Sequence, residues 1–123
     1  MFMEILRSNK GASTVEFALI VPVLIMLIFA VFEFAIAFGD FLAINHAARE
    51  GARMAAVGKY SEAEVRARAY PVKPTSISLT YPLGAGHGQP VEVRIEYRFP
   101  LNIPFFGGHI LPLAGRARMR LEV

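Results

Sequence analysis

From Phe17 to Phe32 every position is apolar, and after Glu33 the run resumes from Phe34 to Phe38. A helix over these residues is about 33 Å long at ~1.5 Å per residue, enough to cross a hydrocarbon core of about 30 Å. The pattern therefore predicts a membrane span over 17–38. It then changes without a break. In "FLAINHAAREGARMAAVG" apolar residues recur at three- and four-residue intervals through Phe41, Ile44, Ala48, Ala52 and Ala55, while Asn45, Arg49 and Arg53 fall on another side. This is an amphipathic continuation of the same helix, with a face of small residues suited to close approach by a sheet or a second helix. Gly58 is placed to end it. "SEAEVRARAY" has a capping-box order, Ser61 with Glu64, and predicts one short helix before Pro71 and Pro74.

Beyond Pro74 the period becomes two. "SISLTY" alternates, and "VEVRIEYRF" sets Val91, Val93, Ile95, Tyr97 and Phe99 against Glu92, Arg94, Glu96 and Arg98. At the end of the sequence Ala117, Met119, Leu121 and Val123 alternate with Arg116, Arg118, Arg120 and Glu122. The expected fold is α+β: a long N-terminal helix, half transmembrane and half amphipathic, packed on an antiparallel sheet of about three strands. "GAGHGQP" reads as the turn between the first two strands. "LNIPFFGGHILPLAG" reads as an apolar loop between the last two, folded over the sheet in the favoured reading or left as an exposed patch in the other.

Four segments follow: a leader at 1–11, the long helix at 12–58, a linker with a short helix at 59–75, and a β-rich outer domain at 76–123. With 123 residues there is room for one small domain, and the hydrophobic share of 54% exceeds the roughly 45–50% of ordinary soluble proteins. The outer part is small enough that its own core is expected to be marginal.

Charge orients the span. Arg7 and Lys10 precede it, whereas Asp40 follows it and the next basic residue is Arg49. Basic flanks stay cytoplasmic, so the C-terminal part faces outward. The net charge of +3 is modest and spread over both ends, which gives no nucleic-acid footprint. There are no cysteines, hence no disulfide scaffold. His46, His87 and His109 are scattered, with no H-E-x-x-H helix, and no metal or cofactor site is expected. The glycines around His87 do not open a helix, so they suit a turn better than a phosphate cradle. No serine has a nucleophile-elbow setting. None of these features points to an enzyme.

Glu16 stands at the mouth of the span, five residues after Gly11. As part of S-x-x-E with Ser13 it suits a helix cap. Its other reading starts from cleavage after Gly11: Ala12 would then carry a charged amine about 6 Å of helical rise from Glu16, and a buried carboxylate needs such a partner. Between side-by-side helices, that pair would set the axial register of neighbouring subunits.

A short basic leader, Gly11, four residues, Glu16 and an immediate apolar helix resemble the type IV prepilin signal, G-x-x-x-x-E. More narrowly, "GASTVEFALIVPVLIMLIFAVFEF" followed by "AAREGARMAAVG" resembles the TadE-like pseudopilins, minor pilins of the tight-adherence (Flp) pilus and secretion machinery of bacteria. "PVEVRIEYRFPL" and "AGRARMRLEV" also look like that family's β-rich tail. The resemblance implies cleavage between Gly11 and Ala12 by a prepilin peptidase and makes Glu16 the assembly and processing acid, with Phe17 in keeping with the aromatic that follows it. It further implies an inner-membrane location with a cytoplasmic N-terminus and an extracytoplasmic C-terminal domain. The partners it implies are other pilins, the inner-membrane assembly platform and membrane lipid, with a place in a surface pilus. Phe17, Glu33, Arg49, Glu50 and Arg53 are candidate intersubunit contacts. Each has a plainer reading: Glu33 at the headgroups, and Arg49 and Arg53 on a solvated helix face. Two other fates fit the pattern, an uncleaved single-span envelope protein and a secreted protein cut near Ala35-Ile36-Ala37, although the 16-residue apolar stretch is long for a signal core.

Overall fold

The computed structural model describes residues 2–123, with side chains described from Asn9 onward; Met1 of the expected leader lies outside the described residues. The chain forms α1 (Phe2–Ala56), α2 (Glu62–Arg68), β1 (Ser76–Thr80), β2 (Pro90–Ile103) and β3 (Gly107–Arg120). The strands make one antiparallel sheet in the order β1-β2-β3. Its inner face lies on the second half of α1, as the two periodicities require.

The helix starts earlier than expected, at Phe2 and not at residue 12. A single glycine disfavours helix by only about 1 kcal/mol relative to alanine, and Gly11 alone does not interrupt it. The S-x-x-E string therefore lies inside the helix in the uncut chain and caps nothing there. Thr14 instead donates its hydroxyl to the Lys10 carbonyl at 2.7 Å. α1 also continues through Pro22.

At its other end the helix closes in a Schellman motif. Gly58 takes φ +73, its N–H donates to Ala55 O at 3.1 Å, and Lys59 N–H donates to Met54 O at 2.8 Å. α2 is capped by the Ser61 hydroxyl, which accepts from Glu64 N–H at 3.4 Å, and it turns Val65 into the core.

The alanine-rich stripe explains how a sheet sits so near a helix. Ile44, Ala47, Ala48 and Ala52 pack with Val65, Ala69, Val72, Val93 and Ile95, and a smaller cluster joins Ala55, Val91 and Leu121. Phe41, expected on this stripe, is instead exposed. Two glycines mark the closest approaches. A Cβ on Gly51 would meet Val65 Cγ2 at 2.9 Å, and one on Gly115 would lie 2.8 Å from Ile44 C and O and 2.9 Å from Asn45 N. The first obstacle is a pair of valine side chains, Val65 and, at 3.3 Å, Val93; the second is helix backbone.

The expected apolar loop at 101–115 is not a loop. β2 and β3 stay paired from Pro90↔Arg120 down to Ile103↔Gly107, which leaves only Pro104, Phe105 and Phe106 between them. Nor does it fold over the sheet: Phe105, Phe106 and Ile110 are exposed at 81%, 62% and 64%. Proline normally argues against a strand, yet Pro100 and Pro112 sit where the sheet has a free edge. β1 pairs only with Glu92 to Glu96, so β2 is itself an edge by Pro100, and Pro112 belongs to the outer strand β3.

On the outer face Glu92 is unexpectedly sequestered, at 8% exposure, beneath the guanidinium groups of Arg116 (3.1 Å) and Arg118. Its Arg118 hydrogen bond, aided by the charges of Arg116, Arg118 and Arg94 and opposed by burial, holds its carboxyl below the ordinary value of 4.5. A depressed carboxylate stabilises the fold at every pH above its unfolded value, and that contribution is lost as pH falls through the lower folded value. The unfolding temperature of the detergent-solubilised chain should therefore begin to drop only below pH 4.5, and Glu92→Gln should flatten that acid limb while lowering stability at neutral pH. An acid limb of equal size in both proteins would exclude this origin.

Candidate functional site

The candidate site is the first half of α1. The large apolar residues along it stand in the open: Phe17 and Leu19 are each 69% exposed, and Val23, Leu27, Val31, Phe34 and Phe38 are comparably bare. The most apolar 18-residue window of this helix has no buried residue. Such a surface is stable only when lipid or other helices cover it.

Gly11, Ala12 and Glu16 all lie on exposed helix at the start of this region, and among the described residues nothing beyond the helix's own nearby backbone comes within 4 Å of where a Gly11 side chain would be. The backbone there is open to an approaching protein. Glu16 is four residues from Ala12 on the same helix, about one turn along.

Glu33 makes a contact within its own chain that neither sequence reading named. Its Oε2 accepts a hydrogen bond of 3.3 Å from the Asn102 N–H, 69 residues away, where β2 nears the turn. The acid inside the apolar run thus has a partner within its own chain, and the pair ties the β2–β3 hairpin to the span. Nothing in the sequence pointed to Asn102, because the donor is a backbone group and the strand carrying it was read as a loop.

The hairpin follows the helix over a long distance. Glu122 N–H donates to Ala56 O at 2.9 Å near the outer end, Gly115 touches Ile44 midway, and Asn102 meets Glu33 below. Along this seam, burial raises the Asp40 carboxyl above its ordinary range, and the Tyr97 phenol is raised by burial and by the charge of Asp40. Arg49 and Arg53 are exposed and Glu50 is half-buried, so the "AAREGAR" segment turns its small residues to the core and its charges outward. Among the described residues no group of three or more His, Cys, Asp or Glu side chains is placed to hold a metal ion.

A bare apolar half-helix joined to a half-helix that carries a small antiparallel sheet defines the class: an α+β protein with a single candidate membrane span. Within that class, residues 11–53 match the family model described as TadE-like protein, over the segment that carries the resemblance in the sequence. Comparison with curated proteins and with solved structures returns no match. The matched third of the chain begins at Gly11, covers the whole span, and ends in the alanine-lined stretch beneath the sheet.

Proposed function

We propose that this chain is a minor pilin, or pseudopilin, of a type IV-like tight-adherence (Flp) pilus or secretion apparatus. On this reading a prepilin peptidase cuts after Gly11, and the mature subunit assembles through its apolar N-terminal helix. The observation that carries the reading is the joint placement of Gly11 and Glu16 at the entrance to a helix surface with no covering of its own, inside a segment matched by the TadE-like family.

The mechanism is electrostatic and steric. Before cleavage the helix lies in the inner membrane with Arg7 and Lys10 on the cytoplasmic side. Removal of residues 1–11 exchanges a polar leader for one ammonium group at Ala12, and Glu16 is its nearest acid along the helix. In a bundle the carboxylate of one subunit reaches the amine of the next, so two charges costly in an apolar setting neutralise each other only in the correct axial register. Apolar side chains from Phe17 to Phe38 then exchange lipid for neighbouring helices. The sheet domain, held on the second half of α1, forms the outward surface.

The test is Glu16→Ala. Removing the acid makes the span more apolar, so the variant should still insert and accumulate in the inner membrane, yet be lost from sheared pili and from cross-linked assembly complexes. Wild-type incorporation of Glu16→Ala would exclude the pairing role. An uncleaved envelope anchor with a partner-binding outer domain is the competing reading, and it requires no acid at this position.

A further inference from the structure

We infer that the β2–β3 hairpin is a second membrane contact: its turn, residues 103–106, enters the outer leaflet of the bilayer that α1 spans. The inference rests on the membrane-spanning part of the reading above and on nothing in the cleavage step.

Depth is the first argument. The hairpin descends along α1 from Ala56 through Ile44 to Glu33, and the Asn102–Glu33 hydrogen bond fixes its lower end inside the apolar run. Glu33 lies five residues, about 7 Å of helical rise, below Phe38 at the end of that run. The turn continues past Asn102 by up to four residues. Its surroundings at that depth are those of the bare helix beside it.

Composition is the second. Between Arg98 and Arg116 there are 17 residues with no Asp, Glu, Lys or Arg, in a chain where charged residues average 19%. The stretch is bracketed by Arg98 and Arg116, which lie above it on β2 and β3 on the side away from the turn. The side chain at the tip, Phe105, is 81% exposed, more than any large apolar residue of the span.

The third is the backbone. A turn placed in lipid must satisfy its polar groups internally. That demand is met in part: Phe106 N–H donates to Ile103 O at 3.2 Å, His109 Nε2 donates to Phe106 O at 3.0 Å and Pro104 has no N–H, while the Phe105 N–H and the Pro104 and Phe105 carbonyls have no partner among the described residues. Proline second and a left-handed residue third is the order of a type II turn, in which glycine normally takes the third place. Phe105 occupies it at φ +71. The chain accepts a backbone conformation unfavourable to a bulky residue and thereby presents an aromatic ring at the tip.

The chain contains no tryptophan, so each single substitution provides one fluorescent reporter. Full-length Phe105→Trp, Phe29→Trp and Leu83→Trp would be reconstituted in phosphatidylethanolamine–phosphatidylglycerol vesicles with or without brominated acyl chains. Residue 83 lies at the opposite end of the sheet, where Leu83 is 72% exposed. We expect the residue-105 reporter to lose most of its emission to brominated lipid and to resist aqueous acrylamide, as the residue-29 reporter does, while the residue-83 reporter does the reverse. Acrylamide quenching at residue 105 equal to that at residue 83, with residue 29 still quenched by lipid, would overturn the inference and leave the span intact. Shielding of residue 105 from both quenchers would overturn it in favour of a protein neighbour at the tip. Failure of brominated lipid to quench residue 29 would overturn the span and this inference together.

Discussion

Gly115→Ala should lower the stability of the sheet domain by about 3 kcal/mol, the upper end of what an inserted methyl costs in a packed interface. The added Cβ would lie 2.8 Å from the carbonyl carbon and oxygen of Ile44 and 2.9 Å from the amide nitrogen of Asn45. None of these atoms can step aside, because all belong to the α1 backbone. The sheet must lift, and with it Val93 and Ile95 leave the alanine face on which they are fully buried. A domain of roughly 80 residues has only about 4–12 kcal/mol to lose, so this is a large fraction. Gly51→Ala provides the contrast: its obstacle is the Val65 side chain at 2.9 Å, and alanine is the better helix former by about 1 kcal/mol. Denaturant unfolding of the detergent-solubilised chain, read by near-ultraviolet circular dichroism, should show a much lower midpoint for Gly115→Ala than for Gly51→Ala. Equal midpoints would mean that the close approach at Gly115 does not hold the sheet in place.

Gly11→Leu has the larger effect on biology and little effect on folding. Among the described residues no atom beyond the helix's own nearby backbone lies within 4 Å of the position a Gly11 side chain would take, so leucine fits and improves the helix by about 1 kcal/mol. What it removes is bare, easily unwound backbone beside the scissile bond. Unprocessed chain should accumulate in the membrane to the exclusion of the mature form, and assembly should fail with it. Immunoblotting of membranes resolves the two forms, and normal processing of Gly11→Leu would remove Gly11 from the cleavage site.

Much of the architecture was legible in the sequence because its elements have clean periods. The span shows as an unbroken apolar run, the alanine face as spacings of three and four, and the first part of β2 as strict alternation from Val91 to Phe99. The lower half of the hairpin was not legible. Pro100, Pro104, Pro112 and the Gly107-Gly108 pair are loop signals locally, and they are tolerated only because this part of the ladder has free edges, a property of the sheet as a whole. The same holds for the partners of two acids. Glu92 sits at a position that alternation assigns to solvent, and only the register that sets Arg118 opposite it and Arg116 two pairs farther along, on the same face, buries it. Glu33 was conspicuous as a charge in an apolar run, but its donor is a main-chain group 69 residues away.

The helix start was misplaced for a different reason. Gly11 and Ser13 resemble a terminus, yet a capping preference has force only where neighbouring residues do not themselves favour helix, and α1 begins at Phe2. Processing would restore the expected start, since removal of 1–11 makes Ala12 the first residue and sets Ser13 and Glu16 in the first turn. The two readings of Glu16, as cap and as assembly acid, then describe the same mature terminus.

The most direct test of the account is the N-terminal residue of the protein recovered from bacterial membranes, read by intact mass and by sequential degradation. A chain beginning at Ala12 is the predicted result. A chain that keeps Met1 through Gly11 would contradict processing and leave a tethered domain, and one that begins after Ala37 would remove the apolar half of α1, and with it the span, from the mature protein.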